Sequence, residues 1–179
     1  GYPLCEVDLS VLTPQENEIN TTPALIRGVA SAFAQRGAKL SGFRAKVHST
    51  VLPGSGLSSS AAFEVLFGTI LNELFFDKQL SAIEIAQIGQ YAENVYFGKP
   101  SGLLDQMAAS AGGMVALDFE TADAKVDAVA CDFAAKGYAL CVVNTGGDHG
   151  DLTDDYAAIP AEMKSVAAQF GKKVLREVD

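Results

Sequence analysis

The run Pro53-Gly54-Ser55-Gly56-Leu57-Ser58-Ser59-Ser60-Ala61-Ala62 constrains this chain more than any other stretch. Two glycines and four serines stand directly before an apolar segment that reads as a helix over residues 59–75. Glycine lets a backbone turn sharply and come close to a ligand. Serine at a helix start caps free amide groups and supplies hydroxyls. The first turn of a helix holds unpaired N–H groups and a partial positive charge. Such a loop is a cradle for an anion, above all for the phosphates of a nucleotide. It is neither the P-loop pattern, since no Lys follows its second glycine, nor the dinucleotide fingerprint, since the third glycine is missing. The plain alternative is a serine-capped connection.

The segments around the run set the fold class. Thr22-Pro23 opens a helix that carries Leu25, Ile26, Val29 and Phe33 on one face and stops near Gly37, with Thr22 as cap. Residues 42–49 alternate, with Phe43, Ala45 and Val47 on one side and Arg44, Lys46 and His48 on the other, the pattern of a half-buried strand. Ser81 and Glu84 form a capping box before a third helix, whose inward stripe is Ile85, Ile88, Gly89, Ala92 and Tyr96. A turn at residues 98–102 leads to a short helix over 103–110, closed by Gly112-Gly113. Strands are expected at 114–119, 126–131 and 138–144, and a final helix at 151–170 with Pro160 inside it. Helices and strands mix without strict alternation, which is the α+β class.

Composition narrows the function. The formal net charge is −9, and thirteen Lys and Arg without a cluster argue against a nucleic-acid partner. No apolar run is long enough to span a bilayer, so no membrane partner is expected. Cys5, Cys131 and Cys141 are odd in number and lack metal-ligand spacing; a reduced, cytoplasmic protein is the simplest reading, with Cys131 and Cys141 in the core. His48 is expected to face solvent, and His149 to sit in a plain turn.

A second constellation runs from Ala92-Glu93-Asn94 through Gly98 to Ser101-Gly102-Leu103-Leu104-Asp105-Gln106. Asp105 stands among Leu103, Leu104, Met107 and Ala108, an apolar setting in which a carboxylate must find partners or shift its pKa upward. A group that accepts or orients a proton suits such a place; a helix cap is the alternative. Glu93 borders the inward stripe and is expected to be half-buried, the alternative being a solvated helix residue. Magnesium at a nucleotide takes one or two carboxylates plus phosphate oxygens, which Glu93 and a loop serine can complete.

Together these stretches resemble the GHMP kinases, and within them the galactokinases. The 53–61 run is similar to the family's phosphate-binding motif. The stretch from Ala92 to Ala108 resembles the galactokinase segment that holds the catalytic aspartate. Val142-Val143-Asn144-Thr145 and Asp154-Asp155-Tyr156 resemble a later strand and a tyrosine near the sugar. The resemblance implies a GHMP kinase fold: a ribosomal protein S5 domain 2-like part over 1–135, then the start of a second domain over 136–179, truncated. It implies that Pro53, Gly54, Ser55, Gly56, Leu57, Ser58, Ser59 and Ser60 wrap the ATP phosphates. Ser60 and Glu93 then hold magnesium, Asp105 meets the anomeric hydroxyl of galactose as base or orienting anion, and Gly102 and Tyr156 line the sugar pocket. The product is galactose 1-phosphate.

The departures matter too. Galactokinases begin with an arginine and a Glu-His-x-Asp cluster, and nothing in residues 1–40 is similar; their Gly-rich third motif is absent as well. The expectation is a chain with little or no kinase activity alone, and with apolar surface that favours self-association. A non-catalytic sugar or nucleotide-binding regulator is the rival from another class; the intact Asp105 speaks against it.

Overall fold

The computed structural model describes residues 4–51, 56–121, 124–143 and 153–178. Four helices make its centre: α1 (Thr22–Gln35), α2 (Ser59–Phe75), α3 (Ala82–Tyr91) and α4 (Leu104–Ala111). A hairpin follows, with β1 (Val115–Asp118) antiparallel to β2 (Lys125–Ala128) and Val115 opposite Ala128. The last helix is α5 (Thr153–Gln169). The class is mixed α+β, as expected.

The core follows from the helix periodicities. Val29 and Phe33 of α1 meet Phe67 and Leu71 of α2, and Ile88 of α3 and Ala92 beyond it. All are fully or nearly fully buried. Phe43 stacks on Phe67, their ring centroids 5.8 Å apart. A smaller cluster of Ala86, Met107 and Ala124, with Leu117 and Val126 against it, ties the hairpin to α3 and α4. The capping box at α3 is formed in full: the Ser81 Oγ accepts from the Glu84 amide, and the Glu84 carboxylate accepts from the Ser81 amide at 2.8 Å.

A buried ion pair pins the segment before α1. Arg27 of α1 donates from Nε and Nη2 to the two carboxylate oxygens of Glu18, at 2.8 and 2.6 Å. Its Nη1 donates to the carbonyls of Asp8 and Val11. Hydrogen bonding from Arg27 holds the Glu18 carboxyl below the usual range. The Tyr96 hydroxyl adds a 2.6 Å bond to the carbonyl of Leu12.

Several expectations are corrected. The cap of α1 is Thr21 rather than Thr22, and Pro23 is the second helical residue. Residues 42–49 form no ladder among the described residues, although Phe43 packs inward as its alternation suggests. Period-two patterning identifies a face and says nothing of a partner strand. Residues 138–143 likewise form no ladder, and Tyr138, Leu140, Val142 and Val143 are exposed. Cys131 and Cys141, expected in the core on the strength of those strands, are exposed. His48 faces solvent as expected, whereas His149 and the expected strand end Asn144-Thr145 lie outside the described residues.

Candidate active site

The N-terminus of α2 opens the site. Gly56 has φ of +72°, and Ser58, at the cap position, has φ of +56° and ψ of +49°. Left-handed backbone at a non-glycine residue is uncommon and collects at ligand-binding turns. Pro53, Gly54 and Ser55 of the same run lie outside the described residues. From Ser58 the chain enters α2, whose first amides have no helical acceptor. Ser60 is the second residue of the helix.

α3 then delivers Glu93. Past Tyr91 the helix widens into a π-helical turn, Ala92–Phe97, ended by Gly98 at φ of +87°. The Glu93 carbonyl accepts from the amides of Gly98 and Lys99, at 3.1 and 3.2 Å. Such turns recur at functional sites because they re-aim a side chain without ending the helix. Here Glu93 points inward and is 2% exposed, more deeply buried than the half-buried position expected, so the solvated reading fails. Its Oε1 accepts from the Ser60 Oγ at 2.9 Å and lies 3.5 Å from the Lys99 Nζ. Its Oε2 accepts from the Gln106 Nε2 at 2.8 Å.

Behind Glu93 sits a second carboxyl. The same Gln106 Nε2 donates to Glu64 Oε2 at 3.0 Å. Glu64 and Gln106 are both fully buried, and Oε1 of each has no partner among the described residues. Burial first, then the neighbouring Glu93 charge, pushes the Glu64 carboxyl up to about 8. Near pH 7 Glu64 therefore keeps its proton behind Glu93. Neither Glu64 nor Gln106 was assigned a role from sequence. The signal was present, since Ser60, Glu64 and Gly68 recur at i, i+4 and i+8, one face of α2. A lone acid on that inward face needs a reason to be there.

The turn to α4 is held from α3 and the π turn. Asn94 Oδ1 accepts from the Ser101 amide at 2.6 Å, and Gln90 Nε2 donates to the Ser101 carbonyl at 3.1 Å. This fixes Gly102 and the first turn of α4, which carries Asp105. The apolar setting expected for Asp105 is not found. Gln106 and Met107 face inward, whereas Leu104 and Asp105 face solvent. Helical geometry turns neighbouring residues about 100° apart, so the surrounding apolar letters do not surround its side chain. In the first helical turn the carboxylate also gains from the macrodipole.

Tyr156 stands apart. It is 50% exposed on α5, which packs mainly on the short turn Leu175–Glu177. The structure thus brings together Ser60 and Glu93, presents Gly102 and Asp105 on the adjoining turn, and does not bring Tyr156 to them. Among the described residues, no three His, Cys, Asp or Glu side chains gather as a metal cage.

Residues 24–113 match the family model described as the GHMP kinases N terminal domain. The chain belongs to the GHMP kinases. That span runs from the first turn of α1 through α4 and hence holds Ser60, Glu64, Glu93, Asp105 and Gln106. Among curated GHMP kinase relatives, a galactokinase of Streptomyces coelicolor is 38% identical over 154 residues, covering 84% of this chain and 39% of the relative. A galactokinase of Clostridium beijerinckii is 33% identical over 150 residues, covering 82% of this chain and 37% of the relative. A third galactokinase, of Streptomyces lividans, is 38% identical over 152 residues, covering 84% and 38%. The chain thus spans less than two fifths of the length of these relatives. No described helix is long and apolar enough to cross a membrane.

Proposed function

We propose that the chain carries the phosphate and magnesium half of an ATP-dependent sugar kinase, which phosphorylates galactose at its anomeric hydroxyl to galactose 1-phosphate. The observation that supports this best is the 2.9 Å bond between Ser60 and Glu93, made where α2 offers its free amides. A hydroxyl and a buried carboxylate side by side form the donor pair that magnesium uses beside phosphate oxygens. Ser60 and Glu93 would hold the ion, which when bound neutralises phosphate charge. Gly56, Leu57, Ser58 and Ser59, with Pro53, Gly54 and Ser55, would wrap the triphosphate. Asp105 would receive or orient the sugar's anomeric proton, with Gly102 beside the sugar. Positioning and electrostatics do most of the work in phosphoryl transfer, and the named residues are of those two kinds. The galactokinase names of the relatives supply the sugar. In this reading residues 1–135 belong to the first domain, residues 136–179 open the second, and the protein works in the cytoplasm.

Calorimetric titration of the chain with ATP, with and without magnesium, tests the reading. Affinity should rise with magnesium, and Ser60→Ala and Glu93→Gln should remove the rise. An affinity indifferent to magnesium, or unchanged in both variants, would overturn it. Asp105→Asn should leave nucleotide affinity intact, because Asp105 acts on the sugar; a variant that lost ATP binding would remove Asp105 from that role.

A further inference from the structure

Magnesium sites depend on groups behind the ligands as well as on the ligands. Glu93 has such a group in Gln106, and Gln106 is itself held by Glu64. One amide nitrogen reaches both carboxyls, at 2.8 Å to Glu93 and 3.0 Å to Glu64. Both supporting side chains are fully buried, where an unneeded polar group is costly. The space they occupy is kept open by Gly89. A Cβ there would come within 3.1 Å of the Glu64 Cβ, 3.2 Å of the Gln106 Cγ and 3.2 Å of the Glu64 Oε2. An apolar pair would fill this space at no electrostatic cost, so its retention as two hydrogen-bonded polar groups calls for a use.

We propose that Glu64 and Gln106 are positioning residues for Glu93, fixing its carboxylate against Ser60 so that one oxygen, in one orientation, faces the metal. The proposal rests on the reading of Ser60 and Glu93 as the magnesium pair. Gln106 donates to Glu93 Oε2 and leaves Oε1, on the Ser60 side, as the oxygen turned to the ion. Glu64 occupies the inner side of the amide and prevents it from rotating away.

The test measures ADP affinity of the chain by calorimetry, with and without magnesium, in folded variants checked by circular dichroism. Gln106→Leu and Glu64→Leu should reduce the magnesium-dependent gain about 10–100-fold, as loss of outer-shell partners does, with metal-free ADP affinity unchanged. Glu64→Gln keeps an oxygen toward the Gln106 amide and should retain the gain. A purely structural role would move both affinities together, and that result, or a full gain in Gln106→Leu, overturns the proposal. The Gln106 side-chain amide resonances give a second readout without nucleotide. They should exchange slowly with solvent and shift in Glu93→Gln; fast exchange, or no shift, also overturns it. A parent chain whose ADP affinity ignores magnesium would refute the magnesium pair, and with it the metal-facing part of this proposal. Slow exchange and the Glu93-dependent shift would in that case show that the bridge itself stands.

Discussion

Gly28 gives the sharpest test of how the site is supported. It lies on the face of α1 that meets the π turn carrying Glu93. A Cβ at this position would stand 2.7 Å from the Ala92 Cβ, 2.8 Å from the Ala92 Cα and 3.0 Å from the Tyr96 Cδ2. Carbon atoms settle at about 3.5–4.0 Å, so the gap is short by roughly 1 Å. Neither close atom of Ala92 can rotate out of the way, and α1 and the π turn must separate. Overpacking of this kind costs about 1–3 kcal/mol. Alanine's helix propensity returns about 1 kcal/mol, and because backbone has to move, the upper part of the range applies. Gly28→Ala should therefore lose about 2 kcal/mol net, or roughly 4–8 °C in Tm for a chain of this size. Gly68→Ala is the matched control, since its nearest obstacle is the Ile85 Cγ2 at 3.0 Å, the end of a side chain that can adjust. Its cost should largely cancel against propensity. Urea unfolding followed by circular dichroism compares the two. A Gly28→Ala chain as stable as the parent, or equal to Gly68→Ala, would refute the claim that helix contact at Ala92 positions the π turn.

Three further outcomes are expected. Arg27→Met leaves the Glu18 carboxylate and two carbonyls without their donor, and should lose about 3 kcal/mol in the same urea experiment, since a broken buried pair strands its partner. Glu64 loses its proton near 4.5 when unfolded and holds it to about 8 when folded, so its contribution is fully present below pH 4.5 and falls as pH rises toward 8. Glu64→Gln, with no proton to lose, should gain on the parent across that window by up to about 1.4 kcal/mol per pH unit; a difference constant between pH 5 and 8 would contradict a buried neutral Glu64. Ser81→Ala removes the cap of α3 and should cost about 1 kcal/mol in thermal unfolding.

Helices were legible in the sequence because each carries its own evidence. Ser81 with Glu84, the stripe from Ile85 to Tyr96, and Gly112-Gly113 after α4 are local signals, and local hydrogen bonds realise them. Strands were less so: residues 42–49 and 138–144 show the right alternation or apolar run, yet a ladder needs a second segment that no single stretch announces. At the site, Ser60 and Glu93 could be paired from sequence, whereas the exposure of Asp105 could not. It depends on which way α4 turns, which Gln106 and Met107 decide by burying themselves. Glu64 and Gln106 were overlooked for a related reason: their chemistry exists only where α2, α3 and α4 converge.

The π turn has a consequence for chain length. The bonds closing residues 92–97 span one residue more than an α-helix would, so one residue in this stretch is surplus to the helix that precedes it. Removing a single residue from the widened turn would let regular winding resume, and the residues beyond it would keep their bearing about the helix axis. Removing a second residue would turn Lys99, the Ser101 turn clasped by Asn94, and α4 with Asp105 and Gln106 by about 100° together. The stretch from Glu93 to Asp105 thus keeps its register through the loss of one residue, and not of two.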